Sequence, residues 1–405
     1  MSDDIITNSL YYTKTASLYT GWMGTAIYHA NLYTYRENPK YQHQVYDLVN
    51  KSLNNLATLQ GKSSLSGYAG VVWGLTHLIN IGLLAYGEIK SYLDKLKSLI
   101  IESLAKNISN KNFDLMHGLI GKLITLAALY ELAPKDNSEL PQIIDDNVLA
   151  LTKMCYQNGN SSNLIWQSSH LPQGMINTGL AHGVASIIWF FASISEKAFL
   201  SSSTKMICTE QVQKTTKWLI SQKTKFRHPH FCIPHEISLN NDKIITNYSL
   251  AWCRGDLGIA VALIKAGNVL RDRQLFLEGL AIAQSISKLS VKNSNITLDK
   301  HQIDSSLCHG TFGVFFIFYQ LYGQTSDSNL KKAYLYWLDV SLDLIKPDEK
   351  FCGLHTYLSH SEQGIVWNQN VSLLNGVSGI ALILLTYLMQ EQGVEQSHPW
   401  FDIFL

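Results

Sequence analysis

One short turn recurs seven times along the chain and constrains its fold more than any other feature: a glycine, two residues, then glycine or serine, opening an apolar run. The first glycines are Gly21, Gly67, Gly118, Gly183, Gly255, Gly310 and Gly376, and the fourth position holds Gly24, Gly70, Gly121, Ser186, Gly258, Gly313 and Gly379. Successive turns lie 46, 51, 65, 72, 55 and 66 residues apart. Each interval holds two helices of about 15 to 20 residues plus connections, the content of a helical hairpin. After each turn comes a nearly uncharged stretch, such as Val314 to Tyr322 or Ile380 to Leu388, and helices apolar all round belong inside. Between them lie amphipathic segments such as Ile89 to Ala105, with Ile89, Leu93, Leu96, Ile100 and Leu104 at helical spacing beside lysines. The expected fold is all-α, an α/α toroid of seven helical hairpins with inner and outer rings. The closing outer helix has no strong pattern at either end of the chain.

One segment departs from this rhythm. Phe231 to Ser249 reads as two extended runs around Leu239-Asn-Asn-Asp242, so a β-hairpin insertion is expected around 231–249 of a single domain covering 1–405. It leads into Cys253, and is either a wall of the site or a passive crossover.

The repeat register sorts the polar residues. Just before the first glycine stand Thr20, Ser66, His117, His182, Arg254, His309 and Asn375, all polar in apolar surroundings. An isolated buried polar group costs a few kcal/mol unless paired, so a ring of them at one level implies a wet cavity. Thr20, Ser66 and Asn375 are read as helix caps. One position further back are Cys253 and Cys308, and Asp114 stands four before the third turn's glycine. If the turns are equivalent, Cys253, Cys308 and His309 converge as two sulfurs and one nitrogen, a set that suits zinc with one open position. His182 shares the level of His309 and is assigned a chemical role. Asp114 is either its partner or a helix cap, and His117 is either chemical or part of the wall. Arg254, beside Cys253, is either a cation for a developing anion or a side chain paired with Asp256.

A formal net charge of +1 without a basic run removes any electrostatic case for nucleic acid. The most apolar stretches are interrupted by Gly, His or Lys within about 18 residues, so no transmembrane helix is expected. Six irregularly spaced cysteines make no disulfide framework, and with no export signal they fit reduced thiols in the cytoplasm. Cys155, Cys208, Cys232 and Cys352 are read as structural. Paired carboxylates of the kind α/α-barrel glycosidases use are missing from the ring.

Trp252-Cys253-x-Gly255-x-x-Gly258, Cys308-His309-Gly310-x-x-Gly313 and Ala181-His182-Gly183 resemble the signature motifs of the lanthionine synthetase C family, and the likeness runs through all seven turns. It implies a sevenfold α/α toroid with Zn2+ held by Cys253, Cys308 and His309, His182 in proton transfer, and Asp114 as the third turn's aspartate. The chain departs from the family at Arg254, where bacterial members commonly carry Tyr and animal relatives His, and at Ser249, where an arginine is found in a bacterial member. The implied reaction is Michael-type addition of peptide cysteine thiols to dehydroalanine or dehydrobutyrine, giving lanthionine or methyllanthionine rings. The implied substrate is a dehydrated precursor peptide, with a separate dehydratase and an exporter as partners. Two alternatives stay open: addition of glutathione or another thiol to dehydroamino acids in proteins, and a non-catalytic zinc-stabilised toroid that binds peptides.

Overall fold

In the computed structural model, which describes residues 13–157, 164–225, 228–239, 244–245, 248–299, 302–394 and 396–405, every one of the seven turns ends in a helix. These are α1 (Trp22–Arg36), α3 (Tyr68–Asn80), α6 (Leu119–Leu132), α8 (Val184–Ser195), α10 (Asp256–Val269), α12 (Thr311–Thr325) and α14 (Val377–Glu391). Each starts on the residue after the turn's first glycine. Their burial is nearly all-round, as in α8, where ten residues from Val184 to Ile194 are buried. The alternate helices are amphipathic: α2 (Pro39–Asn54), α4 (Tyr86–Glu102), α7 (Leu140–Thr152), α9 (Ser202–Lys225), α11 (Arg273–Ile286) and α13 (Ser328–Asp343). In α4 the stripe Ile89, Leu93, Leu96 and Ile100 is buried. The periodicity outruns that helix, because Leu104, also buried, opens the separate short helix α5 (Leu104–Ser109).

The chain divides into two compact units. One comprises residues through Ile100 with Ile296–Tyr319 and Tyr334–Phe404. Within it α14 packs beside α1 and α1 beside α3, so the last repeat lies against the first. No α-helix follows α14 among the described residues. The tail instead forms a 3-10 turn, Trp400–Ile403, whose Trp400 is buried, stacks on Phe316 at 5.5 Å and donates its indole N–H to Thr386 Oγ1 at 2.8 Å. The other unit comprises Ile101–Asn295 and Gln320–Ala333. Here α6, α8 and α10 pack in succession, with α7, α9 and α11 each against its preceding neighbour.

Short strands decorate the helices. β1 (Tyr156–Gln157) pairs with β2 (Leu164–Ile165). β3 (Met175–Asn177), β4 (Glu236–Ser238) and β5 (Ile244–Ile245) form an antiparallel sheet with Ile176 opposite Ile237 and Ile237 opposite Ile244. The segment read as a hairpin thus contributes β4 and β5, and β4 also pairs with the strand ahead of the fourth turn. Residues 240–243, at the expected turn, lie outside the described residues. β6 (Thr356–Ser361) and β7 (Gly364–Asn368) form a hairpin between α13 and α14.

Candidate active site

The repeated turn has a repeated hydrogen-bond scheme. Six residues before the first glycine, an Asn, Asp or Thr side chain accepts from the N–H two residues on, an Asx-type turn. The pairs are Thr15 with Ser17, Asn112 with Asp114, Asn177 with Gly179, Asp304 with Ser306 and Asn370 with Ser372, at 2.8 to 3.4 Å. Four residues before the glycine, Ser17, Ser306 and Ser372 accept from the N–H of Thr20, His309 and Asn375 respectively. The helix N-caps at the first, second and seventh turns are the glycines themselves, with no side-chain cap bond. The capping assigned to Thr20, Ser66 and Asn375 is therefore not seen, because the helix begins one residue later than that reading requires.

The turns are joined at the position two before the glycine. Cys308 N–H donates to Leu374 O at 3.2 Å and Leu374 N–H to Tyr19 O at 3.0 Å in one unit, while Ala181 N–H donates to Cys253 O at 3.2 Å in the other. Glycine is required for this approach. A Cβ on Gly258 would stand 2.8 Å from Leu180 Cβ, and one on Gly179 2.9 Å from Arg254 Cα. Gly255 alone among the seven first glycines has a positive φ, +83°, where a side chain is strained.

Asp114 occupies the place that serine holds in three sister turns. Its Oδ1 accepts from the N–H of Met116 at 2.7 Å and of His117 at 2.8 Å, closing the turn. A carboxylate has a second oxygen where serine has none, and Oδ2 bonds His182 Nδ1 at 2.7 Å. Asp114 thus closes the turn with one oxygen and holds His182 with the other, while the helix-cap reading is not seen, since α6 is N-capped by Gly118 with no side-chain cap bond. Burial alone would raise the Asp114 carboxyl and lower the His182 imidazole. The bond and charge between them, with Cys253 adding to the pull on His182, reverse both shifts, so Asp114 lies below its ordinary value and His182 above 6.5. His117 stacks on His182 with ring centroids 5.6 Å apart.

Two histidines not singled out in the sequence join this group. His170 Nδ1 lies 3.8 Å from Asp114 Oδ2, and its ring meets His182 edge-on at 5.4 Å. Its loop is anchored just ahead of it, by buried Trp166 against Phe113 and by Ser168 donating to His182 O. His235 is buried with Nδ1 lacking a hydrogen-bond partner among the described residues; burial, then Arg254, His182 and His170, lower it to about 4. Its carbonyl accepts from Thr178 N–H at 2.9 Å, which holds β4 beside the fourth turn. The segment before Cys253 therefore lines the His182 neighbourhood. Arg254 is part of the same surroundings, and its buried Nε has no hydrogen-bond partner among the described residues. The pairing with Asp256 is not seen: Asp256 is fully buried and accepts instead from the N–H of Cys232 at 2.5 Å and Ile233 at 3.0 Å.

Cys308 and His309 belong to the other unit. Cys308 is 8 % exposed. His309 Nδ1 is held at 2.6 Å by Oδ2 of Asp304, a carboxylate with no exposed surface. The same oxygen accepts from Tyr357 N–H at 3.0 Å, at the start of β6. Burial would raise Asp304, but His309 and Ser306 bring it below its ordinary value. Asp304 was not singled out in the sequence; the signal for it is the Asx register it shares with Asn112, Asn177 and Asn370.

The donor chemistry fits zinc ligand by ligand. Neither Cys308 nor Cys253 is tied up in a disulfide, and a carboxylate on His309 Nδ1 is the arrangement that metal-bound imidazoles use. Among the described residues no three His, Cys, Asp or Glu side chains form a gathered metal cluster. Cys155, Cys208 and Cys232 lack the surroundings of a reactive thiolate. Burial pushes Cys208 up to about 12 and raises Cys155 and Cys232.

These features define a helical-hairpin repeat protein whose turns carry a buried carboxylate–imidazole pair and soft donor side chains. Residues 13–405 match the model of the lanthionine synthetase C-like proteins, and the chain belongs to that family. It is 26% identical over 417 residues to the nisin biosynthesis protein NisC of Lactococcus lactis subsp. lactis, across 96% of this chain and 90% of that protein. It is 23% identical over 314 residues to the glutathione S-transferase LANCL1 of Danio rerio, across 76% of this chain and 70% of the relative. The solved structure of nisin cyclase matches with a TM-score of 0.69 at 19% identity, covering 98% of this chain and 93% of that one. The likeness shows the fold, the α/α toroid expected from the seven turns. No helix among the described residues is long and apolar enough to cross a membrane.

Proposed function

We propose that this protein is a zinc-dependent lanthipeptide cyclase of the cytoplasm. It adds cysteine thiols of a dehydrated precursor peptide to dehydroalanine or dehydrobutyrine in the same peptide, closing thioether rings. A separate dehydratase makes that substrate, and an exporter completes the expected partners. The observation that carries this reading is the Asp114–His182 pair, whose turn is joined to that of Cys253 by the bond from Ala181 N–H to Cys253 O.

Cys253, Cys308 and His309 would hold the zinc, which when bound supplies a substrate thiolate at neutral pH, where a free thiol of pKa near 8.5 is mostly protonated. His182 gives the proton that the α-carbon needs once the carbon–sulfur bond forms. Its proton affinity is raised above the ordinary imidazole value by Asp114, which fixes the ring through Nδ1 and leaves Nε2 as the atom that delivers that proton. One proton leaves the thiol and one arrives on carbon, so the reaction is balanced. Arg254 places a permanent cation beside Cys253, suited to the negative charge that develops on the substrate carbonyl.

The relative named as a glutathione S-transferase favours one second reading, addition of glutathione to dehydroamino acids. Incubating the protein with dehydrated, cysteine-containing peptides, with and without glutathione, separates the two. Mass spectrometry after thiol alkylation should show loss of alkylatable cysteines at unchanged peptide mass. Gain of glutathione mass with free cysteines retained would establish the second reading instead.

A further inference from the structure

We infer that Asp304 is a positioning residue that fixes His309 in its Nδ1–H tautomer and so sets Nε2 as its ligating atom. The inference rests on the metal reading of His309 proposed above. Asp304 does two jobs with two oxygens. Oδ1 accepts from Ser306 N–H at 2.8 Å, the turn bond that Asn112, Asn177 and Asn370 make in sister turns at 2.8 to 3.2 Å. An asparagine is thus sufficient for the turn. Oδ2 accepts from His309 Nδ1 and from Tyr357 N–H. In two sister turns the matching atom is an amide nitrogen with the opposite role: Asn112 Nδ2 donates to His117 O at 3.4 Å and Asn370 Nδ2 to Asn375 O at 3.2 Å.

A buried carboxylate oxygen that already receives one N–H can only accept, so the ring atom facing it must carry the proton. In a neutral imidazole this puts the lone pair on Nε2, the atom a metal needs. The ring is held in place as well. Ser306 Oγ lies 3.2 Å from the same Nδ1, and Tyr357 meets the ring edge-on at 6.2 Å. Because Tyr357 lies in β6, Asp304 also ties the β6–β7 hairpin to His309.

The test is Asp304→Asn. Its amide oxygen keeps the Ser306 bond, and its NH2 falls where Oδ2 stood, offering His309 a donor in place of an acceptor. The ring proton should then move to Nε2. Long-range nitrogen–proton NMR of the metal-stripped protein should show Nδ1–H for His309 in the wild type and Nε2–H in the variant. Zinc affinity, read by chelator competition, should fall about 10- to 100-fold, the scale for losing such a partner. A wild-type His309 protonated on Nε2 would overturn the inference even if the variant failed to fold, as would equal tautomers and zinc affinities in both proteins. A tautomer that follows Asp304 in a wild type that holds no zinc would support the positioning and end the metal reading.

Discussion

Asp114 shows how the site is made from residues that the fold already needs. Serine at this place closes three sister turns, so Asp114→Ser should leave the turn intact and remove only the partner of His182. With Asp114 gone, burial dominates, and His182 should titrate below 6.5 rather than above it. NMR titration reads that shift directly. Cyclisation should slow about 100-fold, the usual scale for an impaired acid–base group, and His182→Asn should do the same. A His182 that still titrates high in Asp114→Ser would mean another group holds its proton. Arg254 calls for a series on one peptide. Lys should keep part of the rate and Ala lose most, with zinc content unchanged, whereas a Tyr variant as fast as wild type would make arginine a tolerated substitute for the family's aromatic residue. His182, Asp114 and Arg254 were legible because they sit at fixed offsets from a glycine. His170 and His235 were not, since a loop anchored by Trp166 and Ser168 and a strand pairing with β3 bring them in, and neither has a repeat register.

At the scale of elements, glycine spacing decides how closely successive turns approach. Gly258→Ala would press a methyl group onto Leu180 and the Trp252 carbonyl, so it should destabilise by about 1 to 3 kcal/mol, as overpacking does. Gly323, in α12, has open space where an added methyl would sit, with nothing within 4 Å, and Gly323→Ala should be neutral or stabilise by up to about 1 kcal/mol. Urea unfolding of the two variants beside wild type gives the comparison, and equal midpoints would show that the turn glycines are not packing residues. The inner helices were readable from their uncharged runs and the outer ones from their stripes. Strand β4 was readable only as half of a hairpin, because its partner β3 lies about 60 residues earlier and pairing over that distance leaves no local signal.

For the whole molecule, the seven turns made the toroid legible, while the end of the chain was not, because the tail packs as a 3-10 turn around Trp400 without helical periodicity. The apolar inner helices carry a cost at low pH. His29 is fully buried with neither ring nitrogen hydrogen-bonded among the described residues and is lowered to about 3; His77, stacked on Trp73, is lowered to about 4. Burial keeps both neutral in the folded state, while the unfolded chain takes up protons below about 6.5. Stability should therefore be unaffected by these groups above pH 6.5 and fall as pH drops from there toward 3 to 4, by a few kcal/mol for His29. His29→Leu should flatten the fall between pH 7 and 4, measured by urea midpoints; an unchanged slope would assign it to other groups. The claim on which the chemistry rests is that Cys253, Cys308 and His309 act together on one metal. Zinc content of the purified protein tests it most directly: about one zinc per chain in wild type and Cys155→Ala, and markedly less in Cys253→Ala, is the predicted result. Equal zinc in all three proteins would contradict it.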